Sequence, residues 1–523
     1  MKSLNTFFLA TLFIVFLFFP PAQSQPQSAF LNIRSLGAVG DGVTADTRPI
    51  QAAIDSCAGA GGGTVFFPAG TYLSGTIFLK SHVTLYLDAG ATLLGSTSLD
   101  DYPVTVPNYR SYTDNYTDKS LIYAEGKENI TITGRGVIDG QGAAFSGPWK
   151  VRPYIIRMIG CKNVTITDIT IVNSPMWVQH YLACEDVLID GISVHSKVNH
   201  NNDGIDIDSC NKVRISNCEI NSGDDAIVLK ATSGKPCQNV TISNCVLTTY
   251  CNALKLGTES NGGFRNITIT NCTIYDTRLC GIALELVDGG VFDRVNVSNI
   301  MMENVGGGIF IRLGNRARPY KKDMAKPSVG VLRNVMISNV QAMGLDSTGC
   351  SITGLPDHPV ENVTLQNIRL SFKGGGPAEL ATLDVPENET KYPEYRMFGV
   401  LPAYGFYCRH VNNLKLLNVE LGFEKTDYRP AVIGDDLTNV EFFDVSAQST
   451  SRSKSMIWLN NVKNAFIHGS RPDETVNTFL YLSGAETQNI SLINNDFSRI
   501  SKTVQRDKEV SKKALFVSGN RKK

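Results

Sequence analysis

The chain lacks an excess of either charge: its 523 residues carry 49 Lys+Arg against 49 Asp+Glu, for a formal net charge of zero. That balance excludes a generic binder of nucleic acid or of anionic membranes, which needs surplus basic charge. Charged residues make up only 19% and hydrophobic ones 42%, which excludes a disordered, solvating polymer and leaves enough to bury a core. The 12 Cys, spread from Cys57 to Cys408, contain no Cys-x-x-Cys pair, which excludes the usual zinc spacing. Beyond residue 24 no segment is long and apolar enough to cross a bilayer as a helix. No apolar i, i+3, i+4, i+7 stripe runs through the segments that recur, so repeats of helical hairpins are excluded too.

Residues 1–24 read as a secretory signal, with Lys2 as the basic start, an apolar stretch over 7–19 and small residues at Ala22-Gln23-Ser24. A secreted, extracellular protein of the cell wall is expected. Ten Asn-x-Ser/Thr sequons suit a glycoprotein, although several belong to a structural repeat. An even number of Cys in an oxidising compartment leads us to expect some disulfide bonds.

What the chain has is a repeated phrase. Asn129-Ile-Thr-Ile-Thr, Asn163-Val-Thr-Ile-Thr, Asp186-Val-Leu-Ile-Asp, Lys212-Val-Arg-Ile-Ser, Asn239-Val-Thr-Ile-Ser and Asn266-Ile-Thr-Ile-Thr follow one template. Steps from Asn163 to Asp293 are 23, 26, 27, 27 and 27 residues. Each phrase alternates β-branched and polar residues, the period of a half-buried strand. A repeat of that length with Gly and Asn turns predicts an all-β fold, a right-handed single-stranded parallel β-helix with one coil per repeat. The expected divisions are first coils and cap at 25–120, central coils at 121–372, a long insertion at 373–411, and final coils at 412–523.

In such a coil, residues one repeat apart become neighbours about 4.8 Å apart. A second strand per repeat aligns by its apolar residues: Ile205 and Ile207, Ile227 and Leu229, Leu254 and Leu256, Ile282 and Leu284, Ile309 and Ile311. The residues between them form columns expected to face solvent. One column holds Asp206, Val228, Lys255, Ala283 and Phe310; the next holds Asp208, Lys230, Gly257, Glu285 and Arg312. Five Asp fall within the 23 residues from Asp203 to Asp225, too dense for an ordinary solvated face. Glycosidic hydrolysis needs one protonated carboxyl to donate to the leaving oxygen and one ionised carboxylate to activate water. Crowded carboxylates cannot all ionise cheaply, so at least one pKa is expected to rise. The residues alone do not say which Asp takes which role.

Asn201-Asn202-Asp203 and Gly223-Asp224-Asp225, with 21 residues from Asp203 to Asp224, resemble the N-T-D and D-D motifs of glycoside hydrolase family 28, the polygalacturonases. Ser174-Pro-Met-Trp-Val-Gln-His180 upstream is similar to the family as well. The resemblance implies a β-helix that hydrolyses galacturonate-containing pectic polysaccharide with inversion and without metal or cofactor. It implies Asp224 as the general acid, with Asp203 and Asp225 holding the water.

Two positions depart from the family pattern. The G-H-G motif falls at Cys251-Asn252-Ala253, so Asn252 replaces its histidine. The R-I-K motif falls near Arg312: apolar alternation makes Phe310 stand for its arginine and Arg312 for its lysine, whereas aligning the first basic residue makes Arg312 the arginine. Asn201, Asn252, Lys255, Glu285, Arg312 and His180 are the expected substrate contacts, the last as a possible replacement for the histidine. The partner expected is pectin, with no nucleic acid or membrane, and the protein is expected to be a monomer. The losses leave two alternatives open: a rhamnogalacturonan-active hydrolase of the same family, and a non-catalytic pectin-binding β-helix.

Overall fold

A computed structural model describes residues 29–473 and 475–522; the expected signal segment lies outside the described residues. Every strand-to-strand pairing in the main sheet is parallel, and each strand pairs with its counterpart one repeat away. The chain therefore winds as a right-handed parallel β-helix. The helix Thr47–Gly59, the only α-helix among the described residues, buries Ile50, Ala53, Ile54 and Cys57 against the first coils.

The repeated phrase builds this coil through two kinds of position. Its β-branched residues point inward and stack, as in Val213 on Val240 on Ile267 and Ile215 on Ile242 on Ile269. Its leading Asn turns the corner. Asn239, Asn266 and Asn362 hold φ of 56°, 54° and 56°, a left-handed conformation that Asn tolerates better than most residues. Their side chains form a ladder: Asn266 Nδ2 donates to Asn239 Oδ1 at 2.9 Å, and Asn239 Nδ2 donates to Asn211 Oδ1 at 2.8 Å.

The second strand of each repeat also stacks in the expected register. Ile205 pairs with Ile227, Ile227 with Leu254, Leu254 with Ile282, and Ile282 with Ile309. Asp206, Val228, Lys255, Ala283 and Phe310 form one column, as apolar alternation requires. The next column is broken. After Leu229 on Leu256 the register slips, and Ala231 pairs with Ser260. A bulge at Gly257, with φ of 112°, takes up the extra residues; a Cβ there would lie 2.7 Å from the Glu285 carbonyl oxygen.

Two expectations change. The columns do not face solvent: Asp206, Asp208 and Arg312 are all 0% exposed. Flanking segments roof the sheet, with Tyr116 packed on Trp177 and the segment between strands Val360–Gly374 and Phe406–Lys425 laid over Ala283, Phe310 and Tyr407. The expected disulfides are not formed either, and all 12 Cys are free. Most sit inside the coil as small apolar residues, stacked on neighbouring coils and donating to carbonyls, as Cys210 Sγ does to Tyr181 O at 3.2 Å.

Candidate active site

The site begins with a hinge-free turn. Asn202 is fully buried, and its Nδ2 donates to Ser174 O at 2.8 Å and to Met176 O at 3.2 Å. That ties the turn carrying Asp203 to the preceding coil. Gly204 follows because a side chain would strike the Ala226 carbonyl oxygen, 2.5 Å from the Cβ position. Its N–H donates to Asp225 O at 2.9 Å, so the start of one strand is clamped to the acid of the next coil. Ser222 Oγ and Thr249 Oγ1 both donate to Asp224 O, which fixes the turn holding the two adjacent acids.

Asp203, Asp224 and Asp225 line one cavity of about 200 Å³ with Asn201, Trp177, Met176, Tyr116, Lys230, Glu259, Arg318 and Tyr392. The acids are held differently. Asp225 Oδ1 accepts from Asn252 N at 3.1 Å and Asn252 Nδ2 at 2.8 Å, while Oδ2 lies 3.0 Å from Lys255 Nζ. Burial opposes its ionisation, but the Lys255 and Lys230 ammoniums and the Asn252 donor outweigh burial and hold its carboxyl below the usual range. For Asp224, burial and then the charge of Asp225 push the pKa up. Asp203 is driven well above the usual range by burial, then by Asp224 and Asp206, and its Oδ1 has no hydrogen-bond partner.

Cations hold this cluster together. Lys230 Nζ lies 3.9 Å from Asp203 Oδ2, 3.6 Å from Asp206 Oδ1 and 3.6 Å from Glu259 Oε2, with the Trp177 ring centroid 4.7 Å away. Glu259 also pairs with Arg318 and Arg316, and Arg316 with Asp288. Burial opposes ionisation of Glu259, yet Lys230, Arg316 and Arg318 hold it well below the usual range. Lys255 Nζ further donates to Tyr392 Oη at 3.3 Å.

Of the substrate contacts expected from sequence, Asn201 lines the cavity and accepts from Arg152 at 2.8 Å. Asn252 and Lys255 stand just behind Asp225. Glu285 lies one rung further, buried, accepting from Thr258 Oγ1 at 3.1 Å; burial, partly offset by Lys255, pushes its carboxyl up to about 7. Two expectations are corrected. His180 is 0% exposed beneath Asp206, with Nε2 3.3 Å from Asp208 Oδ2 and its ring stacked on Tyr154; burial drives its pKa below the usual imidazole value. It is a neutral core histidine, separated from the cavity by Trp177. Arg312 is likewise enclosed, donating to Gly354 O at 3.0 Å and to Glu387 O at 2.6 Å, and so fastens the insertion rather than reaching substrate.

Sequence reasoning missed Glu259 and Arg318. Glu259 arrives through the bulge, while Arg318 comes from an irregular segment with no column position. Asp224, Asp225 and Cys251 are the one set of donor side chains among the described residues close enough to share an ion, within 4.8 Å of one another. Asp225 there is already engaged by Asn252 and Lys255, whose ammonium would repel a cation.

The chain is 36% identical over 217 residues to a probable polygalacturonase of Vitis vinifera, covering 38% of this chain and 44% of that protein. It is 30% identical over 259 residues to an exo-poly-alpha-D-galacturonosidase of Dickeya chrysanthemi, covering 39% and 42%. The chain thus spans less than half the length of these curated relatives. Its fold matches that of an exopolygalacturonase from Thermotoga maritima with a TM-score of 0.57 at 24% identity, over 66% of this chain and 88% of that one. The sequence pattern of glycosyl hydrolases family 28 matches residues 57–390, more than half of the chain, and the protein therefore belongs to that family.

Proposed function

We propose that the protein is a secreted glycosidase that hydrolyses α-glycosidic bonds of galacturonate-containing pectin by acid/base catalysis. The observation that carries this reading is the opposite treatment of two adjacent acids in one cavity. Burial and the charge beside it raise the Asp224 pKa and so favour the protonated form that donates to the leaving glycosidic oxygen. Asp225, held ionised by Lys255 and Asn252, deprotonates the water, which Asp203, its own carboxyl raised, helps only to orient. Lys230 and Arg318 supply positive charge for a uronate carboxylate, Arg318 with its side chain 31% exposed toward the mouth. Tyr392 of the insertion lines the same cavity and so closes one side of it, which favours release from a chain end. The relatives named as exo-acting support that choice. Secretion rests on residues 1–24, glycosylation on the sequons, and no partner besides the polysaccharide is proposed for what reads as a monomer.

Asn252 at the histidine position favours a second reading, hydrolysis of rhamnogalacturonan by the same acids. Incubation of the pure protein with polygalacturonate and with rhamnogalacturonan decides between them. Monogalacturonate alone is the expected product; a ladder of oligomers means internal cleavage, and rhamnose-ended fragments mean the second substrate. Replacing Asp224 by Asn is expected to lower kcat by about a thousandfold with KM little changed. Release of no reducing ends from either polymer, or an unimpaired Asp224→Asn variant, would remove the hydrolase reading.

A further inference from the structure

A second cavity, of about 290 Å³, opens on the same sheet as the acids but on the far side of the insertion. The column that runs through Lys255 continues through Ala283, Phe310, Ser351, Tyr407, Ile433 and Trp458. Six rungs separate Lys255 from Trp458, about 29 Å at the usual strand spacing. The intervening rungs are covered by Val385, Tyr395 and Phe398 of the insertion, so the two cavities do not communicate along the sheet.

The polar groups of this cavity are fixed by one another. Trp458 Nε1 donates to Ser483 Oγ at 2.7 Å, and Ser483 Oγ donates to Asn460 Oδ1 at 2.8 Å. That orients the Asn460 amide so that Nδ2 donates to Asp435 Oδ1 at 2.7 Å, while Tyr407 Oη reaches Asp435 Oδ2 at 3.4 Å. Arg409, only 5% exposed, lines the cavity with its Nε–H unpartnered, the rest of its guanidinium being held by Val385 O, Pro386 O and Glu387. Lys454, which does not line the cavity, sits over the Trp458 ring 3.9 Å from its centroid. An indole with its N–H already satisfied, a pre-oriented carboxylate and amide, and one buried free donor are what a hydroxyl-bearing ring requires: apolar contact for the C–H face and fixed partners for its hydroxyls.

We propose that this cavity is a second saccharide site, distinct from the catalytic one, and that its ligand is a neutral sugar. Charge decides against a uronate. The lining acids Asp384 and Asp435 face it, and the one lining cation, Arg409, is already ion-paired with Glu387. The first cavity also holds acids, Asp203, Asp224, Asp225 and Glu259, but sets two cations, Lys230 and Arg318, among them. The site would hold neutral portions of a mixed polysaccharide while the acids work on a charged one.

Calorimetric titration with galactotetraose tests this. Binding to the unmodified protein with a Kd below about 1 mM is expected. Trp458→Ala and Asp435→Asn should each weaken it about tenfold while leaving the rate on polygalacturonate unchanged. Should Trp458→Ala melt early, Asp435→Asn, which keeps the side-chain shape, carries the test. Tetragalacturonate, titrated into Asp224→Asn protein, should bind with an affinity that Trp458→Ala leaves alone. No galactotetraose binding, or binding indifferent to both substitutions, overturns the site; tetragalacturonate binding that depends on Trp458 overturns the choice of a neutral ligand. Neither result bears on whether Asp224 is catalytic.

Discussion

Two columns of this solenoid, built by the same winding, differ in what each coil contributes. At the asparagine corner successive coils offer the same side chain, as in Asn244, Asn271 and Asn299, and each amide donates to the one below. On the roofed sheet successive coils offer different ones: Asp206, Val228, Lys255, Ala283, Phe310. A uniform column satisfies itself, and losing one rung removes only the two hydrogen bonds to its immediate neighbours. A mixed column of buried charges is satisfied only across rungs and by groups brought from outside the repeat, so each member answers to several others.

The contrast is sharpest at Lys230, which faces Asp203, Asp206 and Glu259. Lys230→Met leaves three buried acids short of a cation, and a loss of about 3 kcal/mol or more in chemical denaturation is expected. A loss as small as that of a corner residue would erase the distinction between the columns.

A gentler change reads out chemistry instead. Asn252→Ala deletes a donor that helps keep Asp225 ionised, so the Asp225 pKa rises. Activity that needs ionised Asp225 is lost as pH falls through that pKa, so the acid limb of kcat/KM should move to higher pH. The alkaline limb, set by protonated Asp224, should move little. An acid limb that stays in place would separate Asp225 from the base role.

Asn239→Ala is expected to cost the least, about 2 kcal/mol, from two exposed ladder hydrogen bonds and from placing Ala at φ of 56°. Thermal melting of this variant beside Lys230→Met measures the comparison directly.

The sequence makes the uniform features and the register plain for the same reason: inward Ile, Val and Leu recur every coil, and a slip by one residue would turn them all outward. Asp203, Asp224 and Asp225 therefore come together as their spacing requires. Column position does not reveal what lies above a column. Arg312 has a place in the register yet is enclosed by a segment outside the repeat, and His180 is a rung below the chemistry, packed between Tyr154 and Trp177. Glu259 was hidden for the converse reason, since a bulge at Gly257 takes it out of the column that spacing assigns.

The helix Thr47–Gly59 has a consequence at the scale of many molecules. A stack of parallel strands has no natural stopping point, and its bare first rung offers unpaired amides and an oily cross-section to any similar end. By laying Ile50, Ala53, Ile54 and Cys57 over that cross-section, the helix acts as a stopper. Without it, two rods meeting head to tail would find each other's ends as good a template as their own next coil, and the folded chain would become the subunit of a fibre.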